Sequence, residues 1–116
     1  MVTSQQESAD IFRALADPTR RAILDSLRGG ERPVSLIASG FSVSRPAISK
    51  HLRVLRDAKL VTERRGGRQR IYELNAEPLR NLDIWLNEYR QFWATNLERL
   101  KQYVESQPIN NEREAE

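Results

Sequence analysis

The chain has 116 residues and a formal charge of +3, from 19 Lys+Arg against 16 Asp+Glu, with one histidine and no cysteine. This length suits one domain with a modest core, and an exposed apolar face on so small a chain favours dimerisation. The absence of cysteine excludes disulfides, thiolate metal sites and cysteine redox sensing, and a zinc site built on one histidine needs carboxylates for its other ligands.

No apolar run approaches the roughly 20 residues of a bilayer span. The start MVTSQQESAD is polar and unlike a signal peptide, so a cytoplasmic protein is the expectation. The charge is unevenly placed. Met1 to Leu74 carry 14 Lys+Arg against 8 Asp+Glu, and the remainder 5 against 8. The densest stretch, Ser44 to Tyr72, holds 9 basic residues against Asp57 and Glu63. A basic middle beside an acidic remainder points to a face for a polyanion, with a merely solvated charged face as the alternative.

In chain order, Ser4 and Glu7 have capping-box spacing and open a first helix carrying Ile11, Phe12 and Leu15 on one side. ADPTRRAILDSLRGG is a second helix: Asp17 is its N-cap, Pro18 fits the first turn and Gly29-Gly30 stop it, with Ala22, Ile23 and Leu27 at helical spacing. PVSLIASGF reads as a short third helix capped by Ser35. SRPAISKHLRVLRDAKL is a fourth, over about 44–58, with Ser44 as N-cap and Pro46 in the first turn, where its missing N–H costs nothing.

The period then changes. Val61–Arg64 and Gln69–Leu74 are β-prone runs joined by RRGGR, which suits a tight hairpin turn. Asn75 is expected to cap a long helix from about Ala76 to Ser106, with Leu79, Leu82, Leu86, Tyr89, Trp93, Leu97, Leu100 and Val104 stepping by three or four, and Trp85 and Phe92 widening the stripe. Residues 107–116 are polar and are expected to form a disordered tail, leaving 1–106 as one DNA-binding and dimerisation domain. The order of elements is that of a winged helix-turn-helix: mainly α with a small β-hairpin.

Advancing about 100° per residue from Ile48, the fourth helix is two-faced. Leu52, Leu55, Ala58, Ala47 and Val54 share the arc of Ile48; Arg45, Ser49, Arg53, Arg56, Pro46, Asp57 and Lys50 share the other. A solvated helix face mixes signs at i,i+4, whereas here Asp57 is the sole acid on that arc. Arg45, Ser49, Lys50 and Arg53 stand toward the N-terminal half, the half a recognition helix presents to base edges. His51 falls within the apolar arc, which makes it a packing residue or a phosphate contact from the edge; a metal is not expected. Arg64, Arg65, Arg68 and Arg70 surround Gly66-Gly67, and long cations at a turn suit phosphates or an A·T-rich minor groove.

LADPTRRAILDSLRGG followed by SRPAISKHLRVLRDAKLVTERRGGRQRIYEL resembles the ArsR-type winged helix-turn-helix repressors over roughly residues 8–105, in their cysteine-free, autorepressor-like branch. The resemblance implies a homodimer whose first and last helices pair, through Phe12, Leu79, Leu82, Leu86, Tyr89, Trp93, Leu97 and Leu100. It also implies that each recognition helix enters a major groove of double-stranded DNA at an inverted repeat. Ser44, Arg45, Ser49 and Lys50 match the family's DNA-facing helix positions, and Arg65, Arg68 and Arg70 its wing; His51, Arg53 and Arg64 complete the candidate DNA contacts. Metal sensing does not carry over, because the cysteine pairs and histidine clusters that serve it are missing. Where the turn between the third and fourth helices usually has glycine, this chain has Ser42, which puts a left-handed backbone at that residue in prospect.

The expected function is therefore a dimeric, sequence-specific transcriptional repressor with no cofactor. Three other readings compete with it. A small molecule held near Trp85, Phe92 and Trp93 between long helices could gate the repressor. A non-specific architectural DNA binder shares the charge pattern. An enzyme is not expected, because no nucleophile–base pair, metal cluster or phosphate loop is visible.

Overall fold

The computed structural model describes residues 4–107 and divides into two units, 1–82 and 83–116. In chain order the elements are α1 (Ser4–Leu15), α2 (Pro18–Ser26), β1 (Arg32–Pro33), α3 (Val34–Ser39), α4 (Arg45–Asp57), β2 (Val61–Gly66), β3 (Gln69–Leu74) and α5 (Leu79–Ser106). The capping pair expected of Ser4 and Glu7 rests on a side chain outside the described residues, as does the tail beyond Gln107.

The first unit closes around Ile23, Leu27, Ile37, Ile48, Leu52, Leu55, Leu60 and Val61, all essentially buried. α4 delivers its apolar arc to this core as its spacing requires: Ile48, Leu52 and Leu55 are fully buried, while Arg45, Ser49, Lys50 and Arg53 are exposed. In α1 the buried positions are Ile11 and Ala14, and in and just after α2 they are Ile23, Leu24 and Leu27; Ala22 is exposed, and so, in the single chain, is Phe12, which is expected at the dimer interface.

The start of α2 shows why DPTRR folds as it does. The Asp17 carboxylate accepts from the Arg20 N–H at 3.0 Å, and Pro18 occupies the first turn. Arg20 then reaches back. Its Nε donates to the Ala14 carbonyl at 2.7 Å and its Nη2 to the Arg13 carbonyl at 2.9 Å, while Arg21 donates to the Leu15 carbonyl at 2.7 Å. Two guanidiniums thus satisfy the last carbonyls of α1, where a helix leaves them unpaired and where positive charge is favoured.

The sheet has three antiparallel strands in the order β1-β3-β2. The expected hairpin is present, with β2 running on to Gly66, which pairs with Gln69, so that Gly67 and Arg68 alone make the turn. Gly67 has φ +64 and Arg68 does not have positive φ, the pattern of a II′ turn. The third strand was not anticipated: Arg32 and Pro33 pair with Tyr72 and Ile71. Two residues, one of them a proline confined to an edge, leave no period to read.

Three further expectations are corrected. Ser35 does not cap α3, whose N-cap is Pro33; the Ser35 hydroxyl instead donates to Gln69 Oε1 at 2.7 Å. Ser42 is not left-handed; among the described residues the one non-glycine with positive φ is Lys59, at 65. Asn75 does not open the long helix, which begins at Leu79 after a turn of short-range bonds from Leu79, Arg80 and Asn81 to Ala76, Glu77 and Pro78. The Asn75 side chain accepts from the Glu77 N–H and donates to the Lys59 carbonyl at 2.8 Å.

Lys59 ends α4 in a Schellman motif. Its N–H bonds the Arg56 carbonyl and the Leu60 N–H bonds the Leu55 carbonyl, both at 2.9 Å, with Leu55 and Leu60 buried against each other's turn. A lysine in the left-handed region costs about 1–2 kcal/mol, part of which glycine returns as unfolded-state entropy. Lys59→Gly is therefore expected to stabilise the protein by roughly 0.5–1 kcal/mol, read as a melting temperature raised by about 4 °C in calorimetry.

The second unit is described over residues 83–107, as helix α5 and its end. It bears Tyr89, Phe92, Trp93, Leu97, Leu100, Tyr103 and Val104, each at least 43% exposed. The rings of Trp85 and Tyr89 lie 5.0 Å apart and those of Tyr89 and Trp93 6.4 Å apart, forming an aromatic ladder along the helix. One helix cannot bury such a stripe on its own. Among the described residues no helix is long and apolar enough to cross a membrane.

Candidate nucleic-acid interface

α4 and the hairpin converge on one concave surface in the first unit. The cleft between them has a volume of about 300 Å³ and is lined by Val34, Arg45, Ser49, Arg53, Arg56, Arg68, Gln69, Arg70 and Tyr72. Five of these nine side chains are guanidiniums. The Ser44 N-cap starts α4: its hydroxyl oxygen accepts from the Ala47 N–H at 3.3 Å, which leaves the hydroxyl proton for another acceptor. The N-terminal half of α4 therefore presents the Ser44 hydroxyl, Arg45, Ser49 and Arg53, all exposed.

The cations of α4 and the hairpin fall into two groups. Arg45, Lys50, Arg53, Arg65 and Arg68 make no ion pair with any described residue, and all five are exposed. Arg56, Arg64 and Arg70 are held by acids. Arg56 Nη1 donates to Glu63 Oε1 at 2.7 Å and lies 3.5 Å from Asp57; Arg70 Nη1 is 3.5 Å from Glu63 Oε2; Arg64 pairs with Glu31 across to the start of β1. Of the residues the sequence singled out, Arg45, Ser49, Arg53, Arg68 and Arg70 meet in the cleft, whereas Ser44, Lys50, His51, Arg64 and Arg65 lie outside its lining.

His51 turns toward α2. Its Nδ1 is 3.4 Å from Arg20 Nη1 and 3.9 Å from Asp17 Oδ2, and its side chain is 22% exposed. One arginine thus ties the end of α1 to the recognition helix through that histidine. The Asp17 carboxyl is held below the usual carboxylate range, first by the Arg20 N–H and also by the charges of His51 and Arg20.

Four contributors were missed from sequence: Arg56, Gln69, Tyr72 and Glu63. Arg56 falls on the polar arc of α4 by angle, and that signal was available. Gln69 follows the turn directly, but its bond to Ser35 joins positions 34 residues apart and has no local signature. Glu63 is mostly buried beside Tyr72, and its carboxyl is held down by the Arg56 guanidinium first, then by the Tyr72 hydroxyl. Burial in turn pushes the Tyr72 hydroxyl up, with Glu63 adding to it.

A depressed carboxyl pKa stabilises the fold above the unfolded pKa and is lost as pH falls through the folded one. Wild type is thus expected to exceed Glu63→Gln in melting temperature at pH 7 by about 2–5 °C, the range of a partly exposed pair. The gap narrows as pH falls below the ordinary value of 4.5 and is lost as pH falls through the lower folded value. Thermal denaturation across pH 3–7 checks this.

A helix-turn-helix domain model matches residues 9–64. The chain is 40% identical over 77 residues to the transcriptional repressor SdpR of Bacillus subtilis (strain 168), covering 66% of this chain and 86% of that protein. A crystal structure of an ArsR family transcriptional regulator superposes with TM-score 0.71 at 35% identity, over 81% of this chain and 97% of that one. The chain belongs to the ArsR family of winged helix-turn-helix transcriptional regulators. Another similar structure is the homodimeric winged helix-turn-helix DNA-binding domain of a possible ArsR-family regulator from Mycobacterium bovis, with TM-score 0.62 and 30% identity over 75% of this chain and 81% of that one. Within this fold α3 and α4 form the helix-turn-helix pair and the β2–β3 hairpin the wing. The matched residues 9–64 take in the C-terminal part of α1, all of α2 to α4 and the first four residues of β2, elements that hold α4 in place.

Proposed function

We propose that this ArsR-family regulator is a cytoplasmic, dimeric, sequence-specific repressor that occludes its promoter by binding an inverted-repeat operator. One observation carries the reading: α4 and the wing converge on a single cleft in which Arg45, Arg53 and Arg68 stand exposed and unpaired beside Ser49. Arginine bonds two acceptors of guanine in the major groove, serine bonds several bases, and a cation at the turn bonds phosphate. Lys50 and Arg65 add phosphate contacts outside the cleft, and Arg64 can exchange its exposed ion pair with Glu31 for one.

The apolar ladder of α5 supports the dimer, as does the homodimeric assembly of the similar Mycobacterium bovis domain. Two copies paired about a two-fold axis present two recognition helices, with half-sites about one helical turn apart. Competition at fixed salt tests specificity. Fragments bearing the operator resist random-sequence competitor in the proposed reading; equal competition by random DNA leaves only a non-specific architectural binder.

A second reading has one observation in its favour. Phe92, Trp93, Asn96, Leu97 and Leu100 form an open apolar face on α5, which a small molecule held between two such helices would contact. A metabolite panel read by thermal shift decides it: stabilisation together with loss of DNA binding makes this a ligand-gated repressor.

A further inference from the structure

Glu63 stands on β2 of the wing, next to the cleft but outside its lining. Its carboxylate meets two cleft arginines, Arg56 of α4 through Oε1 at 2.7 Å and Arg70 of β3 through Oε2 at 3.5 Å. Both arginines line the cleft, together with Arg45, Arg53 and Arg68, which no acid restrains. Glu63 Oε2 is buried and makes no hydrogen bond among the described residues, so its attraction to Arg70 is an ion pair at the edge of contact. An acid in this place has a cost: burying a carboxylate is unfavourable unless it is paired, and it removes positive charge where a polyanion is to be bound. A hairpin needing only rigidity could do without it.

We propose that Glu63 is an internal counter-ion that positions Arg56 and Arg70 and withholds them from sequence-independent phosphate binding, leaving base contact to the unpaired cations. The inference rests on the DNA-binding reading above. Random-sequence duplex competes for a repressor at every genomic site, and each guanidinium free to pair with a phosphate strengthens that competition equally everywhere. Neutralising two of five cleft arginines lowers the background, while the ion pairs hold both side chains in fixed geometry beside Tyr72.

The test measures binding of a random-sequence 20-bp duplex across a salt series by wild type, Glu63→Gln and Glu63→Asp. Glu63→Gln is expected to bind more tightly, by up to about fivefold, the ceiling of a surface ion pair. Its plot of log K against log salt is expected to steepen by about 0.9 for each phosphate newly engaged, hence by about 1–2 for two guanidiniums. Glu63→Asp keeps the charge and restores the wild-type slope. Adding Arg70→Ala to Glu63→Gln removes most of the gain. Far-ultraviolet circular dichroism establishes that the variants are folded, and an effect confined to stability leaves the slope where it was. A folded Glu63→Gln protein with wild-type slope and affinity overturns the proposal while leaving DNA binding intact. A wild-type protein that binds no duplex at any salt overturns both.

Discussion

Leu97→Glu is expected to convert the protein to a monomer and to weaken operator binding by about 10²–10⁴-fold. The second half-site is bound intramolecularly only while two recognition helices are joined, and losing that link removes an effective concentration of this order. Leu97 is 65% exposed in the single chain, so the substitution does not disturb the core of residues 11–79. In a two-fold interface each substitution counts twice: two leucine side chains lose about 2–3 kcal/mol each of apolar burial. Two carboxylates are then buried in an apolar contact with no partner of opposite charge, which costs more. Sedimentation velocity at micromolar concentration reads the association state, and titration of operator DNA reads the affinity. A variant that stays dimeric places the interface elsewhere than on the aromatic ladder of α5.

Arg45→Ala and Arg68→Ala are expected to fail in different ways. Arg45 begins α4, is exposed and is unpaired, in the position from which a recognition helix meets base edges. Its loss is expected to cost about 1–3 kcal/mol at the base pair it reads and to relax preference there, with little effect on random-sequence binding. Arg68 sits at the second position of the wing turn, after Gly67, where it can reach a phosphate or a narrow minor groove. Its loss is expected to weaken binding to every sequence alike and to flatten the salt dependence by about one unit. Affinities for an operator series with single base-pair changes, taken at two salt concentrations, separate the two behaviours. If both variants keep wild-type affinity and preference, the contacts are made by other residues.

What could be read in advance follows from how local each cause is. Asp17 with Pro18 and Ser44 with Pro46 announce helix starts through neighbours three residues away, and both caps form. The alternation of arcs along α4 comes from the helical period alone, and the buried set Ile48, Leu52 and Leu55 agrees with it. Features decided by distant partners left no such trace. β1 exists because β3 offers Arg32 and Pro33 the partners Tyr72 and Ile71, and Asn75 holds Lys59 across 16 residues and does not start α5. In the candidate site, the basic face was visible from the composition of 44–72, but which of its arginines are restrained was not. That division rests on Glu63 and Glu31: Glu63 meets Arg70 across the hairpin, while Glu63 meets Arg56 and Glu31 meets Arg64 only once the wing has folded against the rest of the first unit.

The central claim is that one dimer reads two symmetric half-sites through α4. Its most direct measurement is selection of bound fragments from genomic DNA by the purified protein, followed by sequencing. Enrichment of an inverted repeat whose half-sites lie about one helical turn, roughly 34–36 Å, apart is the expected result. Recovery of fragments with no shared motif, or of a single unrepeated half-site, contradicts it.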